Sequence, residues 1–236
     1  MQRPARPDIR NRLLAALPKQ DYQRLARYLE PVSLTPRQVL YEPGDPISHV
    51  YFPESGVISL LTVVGPNKAA EVAVVGYEGV VGESTTLGIH VSHLRALVQA
   101  EGTALRIESP RLRKELGTNS HWFRELFRFT NALMSQAAQT AACNQFHTVD
   151  ARLARWLLVT RDRVKSRNFN LTHEFLSVML GVRRVGITGA AMKLQKLKLI
   201  TYSRGNIQIL DPVRLEAAAC NCYRVVKEIY LLSYGK

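Results

Sequence analysis

Along residues 8–29, apolar side chains return at helical intervals. Leu13, Leu14 and Leu17 share one face, and Tyr22, Leu25, Ala26 and Leu29 continue the spacing. Asp8 is placed to cap this helical stretch, Pro18 to begin a new turn within it and Pro31 to end it. From residue 32 to 107 the period shortens. Apolar or alternating runs at 38–41, 49–52, 57–64, 70–75, 80–81 and 94–107 are separated by turn formers. The turns are Glu42-Pro43-Gly44-Asp45, Pro53-Glu54-Ser55-Gly56, Gly65-Pro66-Asn67, Gly76-Tyr77-Glu78-Gly79 and Glu101-Gly102. About eight short strands at this spacing predict a jelly-roll-like double sheet.

Helical period returns at Ser109, with a short helix to Leu116 ended by Gly117. A long helix follows over 120–146, free of proline and glycine. Phe123, Leu126, Thr130, Leu133, Ala137, Thr140 and Asn144 advance along one stripe of it. Its second half is rich in small residues (Ala132, Ser135, Ala137, Ala138, Ala141, Ala142), which let two helices approach closely, so the stripe predicts a dimer seam. Thr148 or Asp150 caps the next helix, reaching to about 163 with Leu153, Trp156, Leu157 and Leu158 inward, and 166–170 is a polar loop.

A short amphipathic helix over 172–180 is broken by Gly181, a second helix runs over 183–197, and a hairpin folds at Arg204-Gly205-Asn206. Helix, glycine turn, helix and two-stranded wing make a winged helix-turn-helix, whose second helix can leave steeply and enter a major groove. Met192 and Leu194 are assigned to its core. Asp211 and Pro212 start a last helix over 213–232, with Leu215, Ala218, Ala219, Cys222, Val226, Ile229 and Tyr230 at its apolar positions. The expected fold class is α+β. Residues 1–119 form N-terminal helices and a β-roll, 120–147 a dimerisation helix, and 148–236 the winged helix-turn-helix with an extra C-terminal helix.

Charge sharpens this division. The 236 residues carry a formal net charge of +13, unevenly spread. Residues 148–210 hold twelve Lys or Arg against three acids, whereas residues 31–108 hold four against eight. A basic segment centred on a helix-turn-helix is the footprint of a polyanion-binding surface. No apolar run approaches the roughly 20 residues of a membrane span, and the N-terminal stretch lacks the apolar core of a secretory signal, so no membrane partner and a cytoplasmic location are expected. The three cysteines, Cys143, Cys220 and Cys222, form no C-x-x-C pair. They read as buried or half-buried thiols, with neither a zinc ribbon nor a four-cysteine cluster in view; no metal and no cofactor are expected.

Three stretches together carry a family resemblance: Tyr41-Glu42-Pro43-Gly44-Asp45 with Val50-Tyr51-Phe52 and Gly56; Gly76-Tyr77-Glu78-Gly79-Val80-Val81-Gly82-Glu83; and Leu171-Thr172 through Leu197. In this order the chain resembles the cAMP receptor protein / fumarate-nitrate regulator (Crp/Fnr) family of bacterial transcription regulators, over residues 20–210. The resemblance implies a cyclic-nucleotide-binding-like β-roll, a homodimer, double-stranded DNA and RNA polymerase as partners, and a small-molecule effector. The second stretch looks like the approach to the phosphate-binding cassette. There Gly82 and Glu83 are kept, but Leu94 and Arg95 stand where the family's nucleotide binders place an Arg-Ser pair. A leucine offers no charge-assisted fork for a phosphate, so the effector is expected not to be cAMP. The candidate effector-pocket residues are Gly82, Glu83, Ser84 and Arg95.

Haem would need an axial ligand from His49, His90, His93, His121, His147 or His173, which read instead as ordinary surface or core histidines. Where the family's DNA-reading helix places Arg, Glu and Arg, this chain keeps Arg184 but has Val185 and Gly189 at the other two positions. Arg183, Arg184, Thr188 and Lys193 are the candidate groove-facing residues, and Thr172, Lys196, Ser203 and Arg204 the candidate phosphate contacts. The expected function is a homodimeric, sequence-specific transcription regulator whose β-roll senses an effector. The alternative is a regulatory module that acts through protein partners. An enzyme is not expected, because the β-roll has no compact His/carboxylate set and no nucleophile motif.

Overall fold

Backbone that alternates apolar and polar residues folds as two-faced strands, and the 30–108 region does so in the computed structural model, which describes residues 9–65, 68–116 and 120–234. The chain divides into two units: residues 1–59 with 75–129, and residues 60–74 with 130–236. Asp8, Pro66, Asn67 and Gly117, to which turns or caps were assigned above, lie outside the described residues.

In the first unit, helices α1 (Arg12–Ala16) and α2 (Lys19–Ala26) precede the β-roll. Asn11 caps α1 and is fully buried; its Oδ1 accepts from Leu14 N–H, while its Nδ2 donates to the carbonyls of Pro53 and Gly79 at 2.9 and 2.8 Å. One side chain thus satisfies a helix start and two turn carbonyls that burial would otherwise leave unpaired. Strands β1 (Glu30–Leu34), β2 (Val39–Tyr41), β3 (His49–Pro53), β4 (Val57–Gly65), β5 (Lys68–Val75), β6 (Arg95–Ala100) and β7 (Gly102–Glu108) are ordered β1-β7-β3 and β2-β6-β4-β5, with residues 60–74 of β4 and β5 counted in the second unit. Val50, Phe52, Val57, Ile58, Val98 and Ile107 point into the core. Helix α3 (Ser109–Leu116) closes the roll.

Two expectations change here. The first helical region ends at Ala26, and Pro31 lies inside β1, where an edge strand tolerates its missing N–H. Residues 80–81 make no strand; Val81 forms one isolated bridge to Tyr51.

The long helix α4 spans Ser120–Phe146, as its period predicts, and its residues divide between the units. In the first, Trp122, Leu126 and Phe129 are buried, with Trp122 edge-on to Phe52, and the Phe129 ring lies so close to Gly79 that a Cβ there would meet it at 2.2 Å. In the second, Ala132, Gln136, Thr140 and Cys143 are buried. The predicted seam is therefore out of phase in part. Leu126 and Thr140 face their own chain, while Phe127 and Met134 are exposed at 59% and 65%.

In the second unit, α5 (Val149–Val164) is the central helix. Leu153, Trp156, Leu157 and Leu158 are buried, and the Trp156 indole N–H donates to Glu71 on β5. Around α5 stand β8 (Asn168–Asn170), α6 (His173–Leu180), α7 (Arg184–Lys196), β9 (Ile200–Ser203), β10 (Asn206–Ile209), α8 (Pro212–Ala218) and α9 (Cys222–Tyr234). The wing is three-stranded, β8-β10-β9; residues 168–170, expected as loop, pair with β10, because Phe169 is buried opposite Ile207. The last helix is two helices. Ala219 adopts an extended backbone that ends α8, and α9 starts afresh at Cys222. Tyr223 fastens α9 to α5 by donating to Asp162 at 2.6 Å. Among the described residues no single helix is long and apolar enough to cross a membrane; the bent pair α6–α7 passes on length and composition together, and its inner side chains are buried in this unit.

Candidate nucleic-acid interface

Helix α6 starts where Thr172 accepts from Phe175 N–H through its hydroxyl, and it stops at Gly181 in the left-handed region (φ +60°). The next helix leaves at a bend of 106°. Its inner positions, Ile187, Ala190, Ala191 and Leu194, are buried at helical spacing. The opposite face carries Arg184, Val185, Gly189, Met192, Lys193 and Lys196; Val185 and Met192 on it are 75% and 64% exposed. Met192, assigned to the core above, faces outward because it falls one position past the buried pair Ala190-Ala191. A Cβ on Gly186 or Gly189 would meet nothing within 4 Å. The two glycines therefore lower the outer face of α7 rather than admit a neighbouring element.

The candidate base and phosphate contacts occupy distinct settings. Arg183 is the N-cap of α7 and Arg184 its first residue. Thr188 lies with its hydroxyl against Arg184 O and His173 Nδ1 at 3.2 and 3.0 Å. Lys193 reaches away from the helix to Asp150 at the start of α5, 2.5 Å from it, and this ammonium holds the Asp150 carboxyl below its ordinary value. Lys196 is the last residue of α7. Ser203 and Arg204 stand at the wing tip, where Arg204 (φ +49°) and Gly205 (φ +86°) make the two-residue turn that suits the strands' twist.

His173 ties these parts together and was not singled out from sequence. Its ring stacks on Tyr202 of β9 with centroids 4.3 Å apart, and it meets Thr188 of α7. Burial, then the Arg184 charge, lowers its pKa, so the brace favours neutral imidazole. An aromatic at the half-buried third position of β9, Tyr202, was the available signal.

In the β-roll, Gly82 (φ +91°) and Glu83 begin a short 3₁₀ turn, Glu83–Leu87, which also contains Ser84. Burial pushes the Glu83 carboxyl up to about 7, against the hydrogen bonds from its own and the Gly82 backbone N–H groups. Tyr41 lies within electrostatic reach of it, and burial drives that phenol's pKa upward too. Arg95, half-buried on β6, donates through Nε to both oxygens of Glu42 at 3.0 and 2.8 Å. Glu83 and Ser84 thus share one turn with Gly82, while the Arg95 guanidinium is directed to the carboxylate after β2.

Two family models match the chain. The cyclic nucleotide-binding domain family matches residues 31–119, and the Crp-like helix-turn-helix domain matches residues 151–218. FixK2 from Bradyrhizobium japonicum is similar in structure, with a TM-score of 0.68 and 16% identity, over 81% of this chain and 98% of that one. The c-di-GMP responsive regulator CLP of Xanthomonas campestris gives 0.67 and 15%, over 82% and 100%. A CRP/FNR-family transcriptional regulator from Thermus thermophilus gives 0.67 and 20%, over 80% and 98%. At these identities the likeness shows the fold alone. Among curated proteins none matches the sequence significantly.

Proposed function

We propose that this chain, which belongs to the Crp/Fnr family of transcription regulators, works in the cytoplasm as a homodimer that reads double-stranded DNA and is controlled by an effector in its β-roll. The observation that carries this reading is the outer face of α7. It is exposed and basic, and it is flattened by two glycines with open space in front of them. Arg183 and Arg184 at its N-terminal end are the base readers in this reading, and Thr188, bonded to the Arg184 carbonyl, supports them from beneath. Lys193 competes between DNA and Asp150. The start of α6 at Thr172, the end of α7 at Lys196, and the wing tip at Ser203 and Arg204 take phosphates, which position the helix without specifying sequence. With Val185 and Gly189 on the reading face, contact with thymine methyl groups and close backbone approach replace the carboxylate and second guanidinium.

Dimerisation rests on the exposed apolar residues of α4, Phe127 and Met134, with small residues between the turns. Pairing two copies would set two recognition helices about 34–36 Å apart, one turn of DNA. The effector is not a cyclic mononucleotide held by arginine, because Arg95 is engaged by Glu42 and Leu94 cannot replace it. CLP is described as c-di-GMP responsive, so cyclic dinucleotides belong in the effector titration beside cyclic mononucleotides, followed by melting temperature. RNA polymerase is the partner expected once the dimer is on a promoter.

The test is competition binding of the purified full-length protein, at about 0.15 M salt, between the promoter of its own gene and random duplex. Expected is a preference on the order of a thousandfold, the lower end for specific regulators. Equal affinity for the two duplexes overturns the reading.

A further inference from the structure

The end of α4 and the elbow between α8 and α9 converge on one spot that DNA reading does not use. Cys143 and His147 stand four residues apart on α4 and its C-terminal edge, hence on one helical face. Cys220 and Cys222 flank the elbow. The Cys143 and Cys220 sulfurs lie 3.4 Å apart, the Cys222 sulfur lies 3.6 Å from His147 Nδ1, and all four atoms fall within 4.8 Å of one another. We propose that Cys143, His147, Cys220 and Cys222 bind a single zinc ion that pins the C-terminal helix to the long helix.

The geometry fits one ion. With Zn–S bonds of about 2.3 Å and Zn–N bonds of about 2.0–2.1 Å at tetrahedral angles, ligand sulfurs sit about 3.8 Å apart and a sulfur–nitrogen pair about 3.6 Å. The Cys222–His147 pair matches its value, the Cys143 and Cys220 sulfurs lie slightly inside theirs, and every pair stays within 4.8 Å. A multi-iron cluster assigns its cysteines to different irons and needs its ligands spread more widely. Three thiolates and one imidazole at a closed tetrahedral site select zinc over cations that prefer oxygen.

Two further observations favour a charged centre over a packed group of neutral thiols. Gln139, one turn before Cys143, donates from Nε2 to the Cys222 sulfur at 3.0 Å; thiolate accepts such a bond far better than thiol. Arg152 and Arg155 of α5 are only 5% and 6% exposed, and the Nε of each has no hydrogen-bond partner among the described residues. Both guanidiniums lie within electrostatic reach of Cys143. Buried cations need a counter-charge. Three thiolates around a divalent ion leave one negative charge, which offsets one of the two. The three thiol protons pass to solvent as the ion binds. His147, exposed at the rim, gives the ion a way in.

The experiment is metal analysis of the full-length protein, purified under reducing conditions without a metal-affinity step, followed by replacement with cobalt(II). Expected are one zinc per chain and, for cobalt, the visible absorption of a tetrahedral site with thiolate charge-transfer bands. His147→Ala removes an exposed ligand without opening the core and should lower zinc affinity at least about a hundredfold, at or beyond the upper end for loss of an outer-shell partner. Cys222→Ser should lower the charge-transfer intensity, because one thiolate fewer binds the metal. The proposal is overturned by metal-free protein that also gives no thiolate–cobalt bands. It is equally overturned by undiminished zinc affinity in His147→Ala, by iron with acid-labile sulfide in anaerobically prepared protein, or by a Cys143–Cys220 disulfide persisting in reductant.

Discussion

Arg95 and Arg184 are both arginines near a domain surface, but they stand in different electrostatic surroundings. In the β-roll, where acids outnumber bases, the Arg95 Nε–H is shared by both oxygens of Glu42 and the half-buried Glu83 carboxyl resists ionisation. In the helix-turn-helix, bases outnumber acids fourfold, and Arg184 is exposed on a helix that carries no carboxylate of its own. Charge that is internally paired adds shape and leaves little for a ligand, whereas unpaired charge of one sign attracts a polyanion. On the function proposed above, the first region responds to a small change inside it, and the second to a large charged partner outside.

Glu83 offers the strongest means of breaking this contrast. Its carboxyl is raised from 4.5 to about 7 in the folded chain, so the stability it contributes is fully present below pH 4.5 and is lost as pH rises through about 7. That difference amounts to about 3 kcal/mol. Melting followed from pH 4.5 to 8 should show the decline in the wild type and a flatter profile in Glu83→Gln. Coincident profiles would mean that the carboxyl is solvated.

Next come the arginines of the reading face. Arg184→Ala should weaken operator binding by about 1–3 kcal/mol, or roughly 5–150-fold, and relax base preference. Arg204→Ala at the wing tip should instead lower affinity for all sequences alike and reduce the salt-dependence slope by about 0.9. Binding isotherms at several salt concentrations separate the two, and a uniform loss in Arg184→Ala would remove it from base reading.

The smallest effect belongs to the pair in the β-roll. Glu42→Gln breaks an ion pair in which the Arg95 and Glu42 side chains are 31% and 40% exposed, so the stability change should stay within about 1 kcal/mol. It also releases Arg95. Cyclic AMP should still fail to raise the melting temperature, since Leu94 leaves the phosphate without its fork. A rise would show that Glu42, rather than the strand's sequence, withholds the pocket.

Sequence by itself determined much that depends on local period. The strand runs of the β-roll, the limits of α4, the Thr172 cap, the Gly181 stop and the Arg204-Gly205 turn follow from neighbouring residues, because caps, turns and amphipathic faces are set within a few positions. What failed locally failed where a distant partner decided. Residues 168–170 became a strand because Ile207 buries Phe169, and the last helix broke at Ala219, with Cys220 buried against Cys143. Met192 faces outward because α7 turned a different side to α5, and His173 became a brace only once Tyr202 folded over it. The thiol cluster is the extreme case. Cys143 and Cys220, whose sulfurs touch, are 77 residues apart, and the cluster's spacing matches no local motif. Only the packing of α4, α5 and the α8–α9 elbow brings three sulfurs and an imidazole within bonding reach of one ion, because a metal site is fixed by distances in space rather than intervals along the chain.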